Sequence, residues 1–268
     1  MSAAKALCAL VAVMAFVPIP VVATPRVMSL DSCADQYVLA LAPREAIVGL
    51  SYRAVAADSY MREQAVGLPL RRATFESLVS ARPQLVVRLW GGDARLSKAL
   101  QAKGVATVTL DDAADFDGVR ANIRKVAAAL DRSPQGEALI TSMDARLKVA
   151  AGAGRGREAL YLTPGGYTAG ANTLIDAMLR AAGYANATKA PYFAPVSLEQ
   201  MVMTPPAAVV LGFFDRARAG ADRWGPGRHA ALRHVVRNRT VASLPAAVVG
   251  CPAWFAADGS AALAKAAQ

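Results

Sequence analysis

TFESLVSARPQLVV at residues 74–87 recurs as SLEQMVMTPPAAVV at residues 197–210, an offset of 123 residues without a gap. Thr74-Phe75-Glu76, Leu78-Val79, Pro83 and Val86-Val87 match Ser197-Leu198-Glu199, Met201-Val202, Pro206 and Val209-Val210, so eight of fourteen positions agree in kind. Each copy carries a hydroxyl residue suited to cap a helix and a glutamate in the first turn, where the helix dipole favours an acid. An apolar face, a proline stop and a β-branched run for a buried strand complete the unit. The dipole accounts for either glutamate alone. Its recurrence in both copies asks for more: two lobes built alike set Glu76 and Glu199 at equivalent corners, where a two-fold-symmetric partner can engage both.

The residues before and after each copy extend the pattern. Arg26–Leu30 and Ile47–Ser51 read as strands around a helix over Ser32–Leu41 capped by Asp31 or Ser32; Leu85–Leu89 and Val105–Leu110 read as strands around a helix over Ala94–Ala102. Alternation of this kind builds a mostly parallel sheet covered by helices. From Asp112 to Ala151 only helical spacing appears, restarting at Ser133-Pro134. The style then repeats: strand Ala159–Thr163, a Gly-rich loop Pro164–Asn172, helix Thr173–Ala182, and strands Ala208–Gly212 and Thr240–Leu244. The expected architecture is α/β, with two similar lobes, each a mostly parallel sheet flanked by helices, joined by one long helix. The lobes take residues 24–132 and 153–268, and the interlobe helix takes 133–152.

Residues 1–23 stand apart. Lys5, the apolar run Ala6–Val17, the breakers Pro18 and Pro20, and the small residues ending at Ala23 predict a secretory signal cut after about Ala23. The run is too short to span a bilayer as a permanent helix. Export permits Cys33 and Cys251 to pair, closing a loop of more than 200 residues, with two buried free thiols as the alternative.

Of 268 residues, 54% are apolar and 19% charged, which fills a sizeable core and excludes disorder. The net charge of +10 suggests nucleic acid at first, but the arginines are spread over both lobes without a basic run, so an anionic ligand is the better use of it. His229 and His234, five apart, lie about 140° apart around a helix axis and cannot share a face. No metal site and no cofactor are expected. There is no G-x-S-x-G elbow, and the glycine loop Gly165–Gly170 lacks the lysine of a phosphate loop.

Only 6% of residues are aromatic, and many of these follow strands, where open α/β sheets bind ligands. Tyr52 and Arg53, Trp90, Tyr167, Tyr192 and Phe193, and Trp254 are the candidate ligand residues. Flat walls with a few arginines suit a large, partly apolar, anionic ligand held between lobes.

These residues resemble the periplasmic solute-binding proteins of ABC importers for iron-siderophore complexes and vitamin B12. The likeness rests on Arg26-Val27-Met28-Ser29-Leu30 with the helix to Leu41, the Glu76–Val87 segment, Tyr167-Thr168-Ala169-Gly170 with Ala182-Gly183 and Asn186, and Val196-Ser197-Leu198-Glu199-Gln200. It implies a monomeric, non-enzymatic, periplasmic protein that carries a metal chelate to a permease dimer with its ATPase subunits, docking through Glu76 and Glu199. Vitamin B12 binders are closest in pattern, their aromatic contacts falling on Tyr52, Tyr167 and Phe193, with a tryptophan at or beside Trp90. Their ligand-facing acid and arginine fall on Ala253 and Ala257 here, which leaves ferric siderophores, other corrinoids and haem open. An exported enzyme using Asp58, Asp93 or Asp215, or a ligand-free sensory partner protein, are the alternative readings.

Overall fold

A computed structural model describes residues 24–215 and 230–268. The signal segment, Trp224 and His229 therefore lie outside the described residues. The chain runs β1 (Val27–Ser29), α1 (Ser32–Leu41), β2 (Ile47–Ser51), α2 (Arg62–Ala65), β3 (Leu70–Arg71), α3 (Phe75–Ala81), β4 (Leu85–Leu89), α4 (Ala94–Ala102) and β5 (Ala106–Leu110). Helices α5 (Phe116–Ala129) and α6 (Ser133–Ala150) follow. The second half holds β6 (Glu158–Leu162), β7 (Tyr167–Ala169), α7 (Leu174–Ala181), β8 (Ala185–Asn186), β9 (Phe193–Pro195), α8 (Leu198–Met203), β10 (Ala208–Gly212), α9 (Ala230–Arg239), β11 (Thr240–Leu244), α10 (Ala246–Val249) and α11 (Ala256–Ala266).

Two parallel sheets result, ordered β3-β2-β1-β4-β5 and β11-β10-β6-β8. Strand β4 lies beside β1 with Leu85 opposite Val27, and β10 lies beside β6 with Ala208 opposite Ala159, so the two copies of the repeat hold equivalent places. Their strands match residue for residue at the offset read from the sequence, 85–89 against 208–212. The caps match too: the Thr74 hydroxyl accepts from the Ser77 N–H at 3.3 Å and the Ser197 hydroxyl from the Gln200 N–H at 3.2 Å.

Both faces of the first sheet are covered, as parallel sheets require. Val27, Leu85 and Val87 point to the main core with α1 and α5, whereas Met28 and Val86 point to a second cluster with Leu78, Leu96 and Leu100 from α3 and α4. The main core continues into the second sheet through Tyr161, Val210 and Phe255, so apolar packing crosses between the lobes. Helix α6 packs on α5 and on α11. Ion pairs Arg120–Asp144 at 2.5 Å and Arg124–Glu137 at 2.7 Å line its contact with α5.

One local reading is corrected: the Gly-rich segment is no plain loop, since β7 within it pairs antiparallel with β9. Val248-Val249 belong to the short helix α10, which follows Pro245.

Asp35 on α1 knits the first lobe together under the cleft. Wholly buried, it accepts hydrogen bonds from the Ser29 hydroxyl and from the Ser51 N–H at 2.8 Å and hydroxyl at 2.5 Å, joining β1, α1 and the end of β2. Burial is the main cause that pushes its pKa up from 3.8 to about 6, and the serine hydrogen bonds pull the other way. The folded chain therefore holds a proton that the unfolded chain loses between those values. Stability from this group is full below pH 3.8 and falls as pH rises to 6, by at most about 3 kcal/mol. Asp35→Asn is expected to flatten this part of a denaturation-versus-pH curve; a variant curve parallel to that of the parent would contradict it.

Candidate functional site

In both sheets the strands are parallel, so the loops after their carboxyl ends gather on one side, where open α/β sheets leave a crevice. Tyr52 and Arg53 follow Ser51, the last residue of β2, and Trp90 follows β4, its N–H donating to Leu110 O at 2.9 Å. Tyr167 and Phe193 lie on the small β7–β9 sheet. Ala169 faces Phe193 and Tyr167 faces Pro195, which sets the two rings diagonally on one face. Gly170 makes this possible: a Cβ there would lie 2.0 Å from the carbonyl oxygen of Ala190, so only glycine admits the segment that runs through Tyr192 into β9. Tyr52, Trp90, Tyr167, Tyr192 and Phe193 are all more than half exposed.

A cavity of about 610 Å³ opens beside Tyr192 and Phe193. Its walls come from Asp112–Ala114 after β5, the start of α7, Tyr192 and Phe193, Phe213 after β10, and Val248–Pro252, with Tyr161 beneath. A smaller cavity of about 190 Å³ adjoins it, lined by Arg53, Asp58 and Tyr60 on one side and Phe213 and Cys251 on the other. Tyr192 and Phe193 thus line the main cavity and Arg53 the smaller one, while Tyr52, Trp90 and Tyr167 line neither and stand exposed. Arg53 is ion-paired with Asp58.

Trp254 is a correction. It is 4% exposed and packs edge-on against Tyr37 and Phe255, with centroids 5.5 and 5.3 Å away, so it belongs to the core and not to the cleft wall. The cause lies just before it. Cys33 at the start of α1 and Cys251 are joined in a disulfide with Cα atoms 5.4 Å apart. Tyr37 donates to Pro252 O at 2.5 Å, and Tyr60 stacks on Phe255 at 4.3 Å. The Tyr60 hydroxyl donates to Asp258 at 2.5 Å, and Arg146 of α6 pairs with the same carboxylate at 3.0 Å. Burial, with Asp258 adding to it, pushes the Tyr60 phenol up to about 12, so it remains a donor. Segment 250–258 is thereby fastened to the first lobe and forms the back of both cavities.

The sequence of residues 27–250 matches the family model described as periplasmic binding protein. The chain belongs to this family. Among solved structures, the periplasmic heme-binding protein of Roseiflexus sp. RS-1 is 26% identical, with a TM-score of 0.70, over 91% of this chain and 100% of that one. A periplasmic heme-binding protein in complex with two hemes is also 26% identical, at a TM-score of 0.67, over 91% and 99%. The vitamin B12 binding protein of Vibrio cholerae shares the fold at 16% identity and a TM-score of 0.66, over 91% and 98%. No curated protein sequence matches.

In this periplasmic binding protein, Glu76 and Glu199 are both exposed in the first turns of α3 and α8. Hydrogen bonds from its own backbone N–H and from Thr74 hold the Glu76 carboxyl below its ordinary pKa range. The acids considered for catalysis are engaged locally. Asp93 caps α4 through the Arg95 N–H at 2.8 Å, Asp58 pairs with Arg53, and Asp215 accepts from the Ala246 N–H at 3.0 Å. His234 is exposed on α9. No cluster of three metal-ligating side chains occurs among the described residues.

Sequence reasoning missed Tyr161 and Phe213. Tyr161 sits within a strand and reads as core, yet Gly212, alone in an otherwise apolar β10, signals a close approach by a neighbour.

Proposed function

We propose that this protein is the substrate-binding component of an ABC importer, exported to the periplasm with its signal removed after about Ala23, which captures a metal chelate between its lobes and delivers it to a membrane permease. The observation that carries the reading is the pair of exposed rings Tyr192 and Phe193 on the wall of the 610 Å³ cavity, with Tyr52, Trp90 and Tyr167 also left exposed in the segments that follow strands. Rings left in water at the carboxyl ends of strands do nothing for the core, whereas a flat conjugated ligand gains stacking area on each. Haem and corrinoids have such faces, and the 26% identity to heme-binding proteins adds weight to a tetrapyrrole over a ferric siderophore.

Titration of the purified protein with hemin, cobinamide and ferrichrome, read by tryptophan quenching and melting temperature, tests the reading. A tetrapyrrole is expected to quench Trp90, which is 58% exposed, and to raise stability by about 2.7 kcal/mol at a hundredfold excess over Kd. No response to any of the three chelates would reject it.

Delivery rests on the paired glutamates. With matched caps on matched helices, they present two like charges to a two-fold-symmetric permease that offers arginines. Glu76→Ala with Glu199→Ala is expected to abolish uptake in cells while leaving chelate affinity within twofold. Uptake at the parental rate would sink the docking assignment.

A further inference from the structure

The Tyr161 side chain is wholly buried on β6, and its hydroxyl has no hydrogen-bond partner. Buried polar groups are nearly always paired, so an orphan calls for a reason. The residue lines the floor of the 610 Å³ cavity. Its ring is held there by design of the neighbouring strand: a Cβ at Gly212 would lie 2.0 Å from the Tyr161 hydroxyl and 2.4 Å from its ring carbons. Gly212 has no positive φ, so the glycine serves to make room for the phenol and not to bend the chain.

The next residue adds an independent sign. Phe213 has a φ of 64°, a left-handed backbone that costs a bulky residue energy, and it lines the same cavity. Strain of this kind collects at ligand clamps. The cavity walls carry apolar Ile175, Met178, Val248 and Val249 together with polar Asp112, Asn172 and Thr173. The Thr173 hydroxyl on the same wall is already used, donating to Gly170 O at 2.6 Å and accepting from the Asp176 N–H at 3.2 Å.

We infer that the Tyr161 hydroxyl is a ligand contact that donates a hydrogen bond to an acceptor oxygen carried on an apolar arm of the bound chelate. This rests on the chelate-binding reading above. Burial pushes the phenol well above its ordinary pKa, which keeps the proton in place and selects an acceptor over a cation. A propionate, an amide or a hydroxamate oxygen meets the requirement, and a purely hydrocarbon arm does not.

Tyr161→Phe removes the hydroxyl and keeps the ring, and is tested with the same hemin, cobinamide and ferrichrome titrations. The Kd of whichever chelate binds is expected to rise about tenfold, while the empty protein melts at or above the parental temperature because an unpaired donor has been removed. Equal affinity in parent and variant overturns this inference alone. So does a loss of several degrees in the empty variant, which marks a hydroxyl already bonded, to an internal water for instance. A parent that binds none of the three chelates overturns both this inference and the function on which it rests.

Discussion

Replacing Cys33 and Cys251 together with alanine is expected to lower the unfolding free energy by as much as about 5 kcal/mol, the chain-entropy value for a loop this long. The bridge spans 218 residues, nearly the whole of the described chain, so most of the effect lies in the unfolded state, which the crosslink keeps compact. In the folded state segment 250–258 keeps its other ties: Tyr37 to Pro252 O, Tyr60 to Asp258, and Arg146 to the same carboxylate. The variant should therefore fold, melt about 10–20 °C lower, and show a steeper denaturant dependence because its unfolded chain exposes more surface. Reduction of the parent should reproduce the variant. A reduced parent that melts where the oxidised one does would rule out a stabilising bridge.

That bridge also explains where sequence reading succeeded and where it stopped. Strands β2, β4, β10 and β11, helix α1 and the 123-residue repeat are local matters of periodicity, caps and proline stops, and each is found where the residues place it. The caps at Thr74 and Ser197 were legible because a hydroxyl followed by an acid has few other uses. Trp254 was not legible. Its burial depends on residues more than 200 positions away, Cys33 and Tyr37, and on which side of the chain they occupy. A pattern that reports faces of single elements cannot report a contact between lobes.

The rings divide along the same line. Those directly after a strand, Tyr52 and Trp90, stay exposed because a parallel strand ends at the crevice and nothing in its own lobe lies beyond it. Tyr192 and Phe193 reach the cavity only because Gly170 lets a second strand close on β7. Tyr161 shows the reverse: alternation along β6 correctly buries it with Ala159, but the pattern is blind to whether its hydroxyl finds a partner.

Trp254→Ala is expected to cost about 3–5 kcal/mol, the range for deleting a buried aromatic ring that its neighbours cannot replace. Tyr37 and Phe255 both meet the indole edge-on, and Tyr37 is itself fully buried, so neither can move into the space without losing its own packing. Trp254→Phe should cost less and leave hemin affinity within twofold; a large loss of affinity with little loss of stability would return Trp254 to the binding site. The indole and the disulfide hold one segment, so their effects are coupled. Once the bridge is gone, segment 250–258 can peel from the first lobe before the rest of the core unfolds, and the indole then stabilises less. The combined variant is expected to be more stable than the sum of the separate losses predicts, by about 1–2 kcal/mol. Strict additivity would mean that bridge and ring support the two lobes independently, and the common anchoring of both cavities through this segment would fail with it.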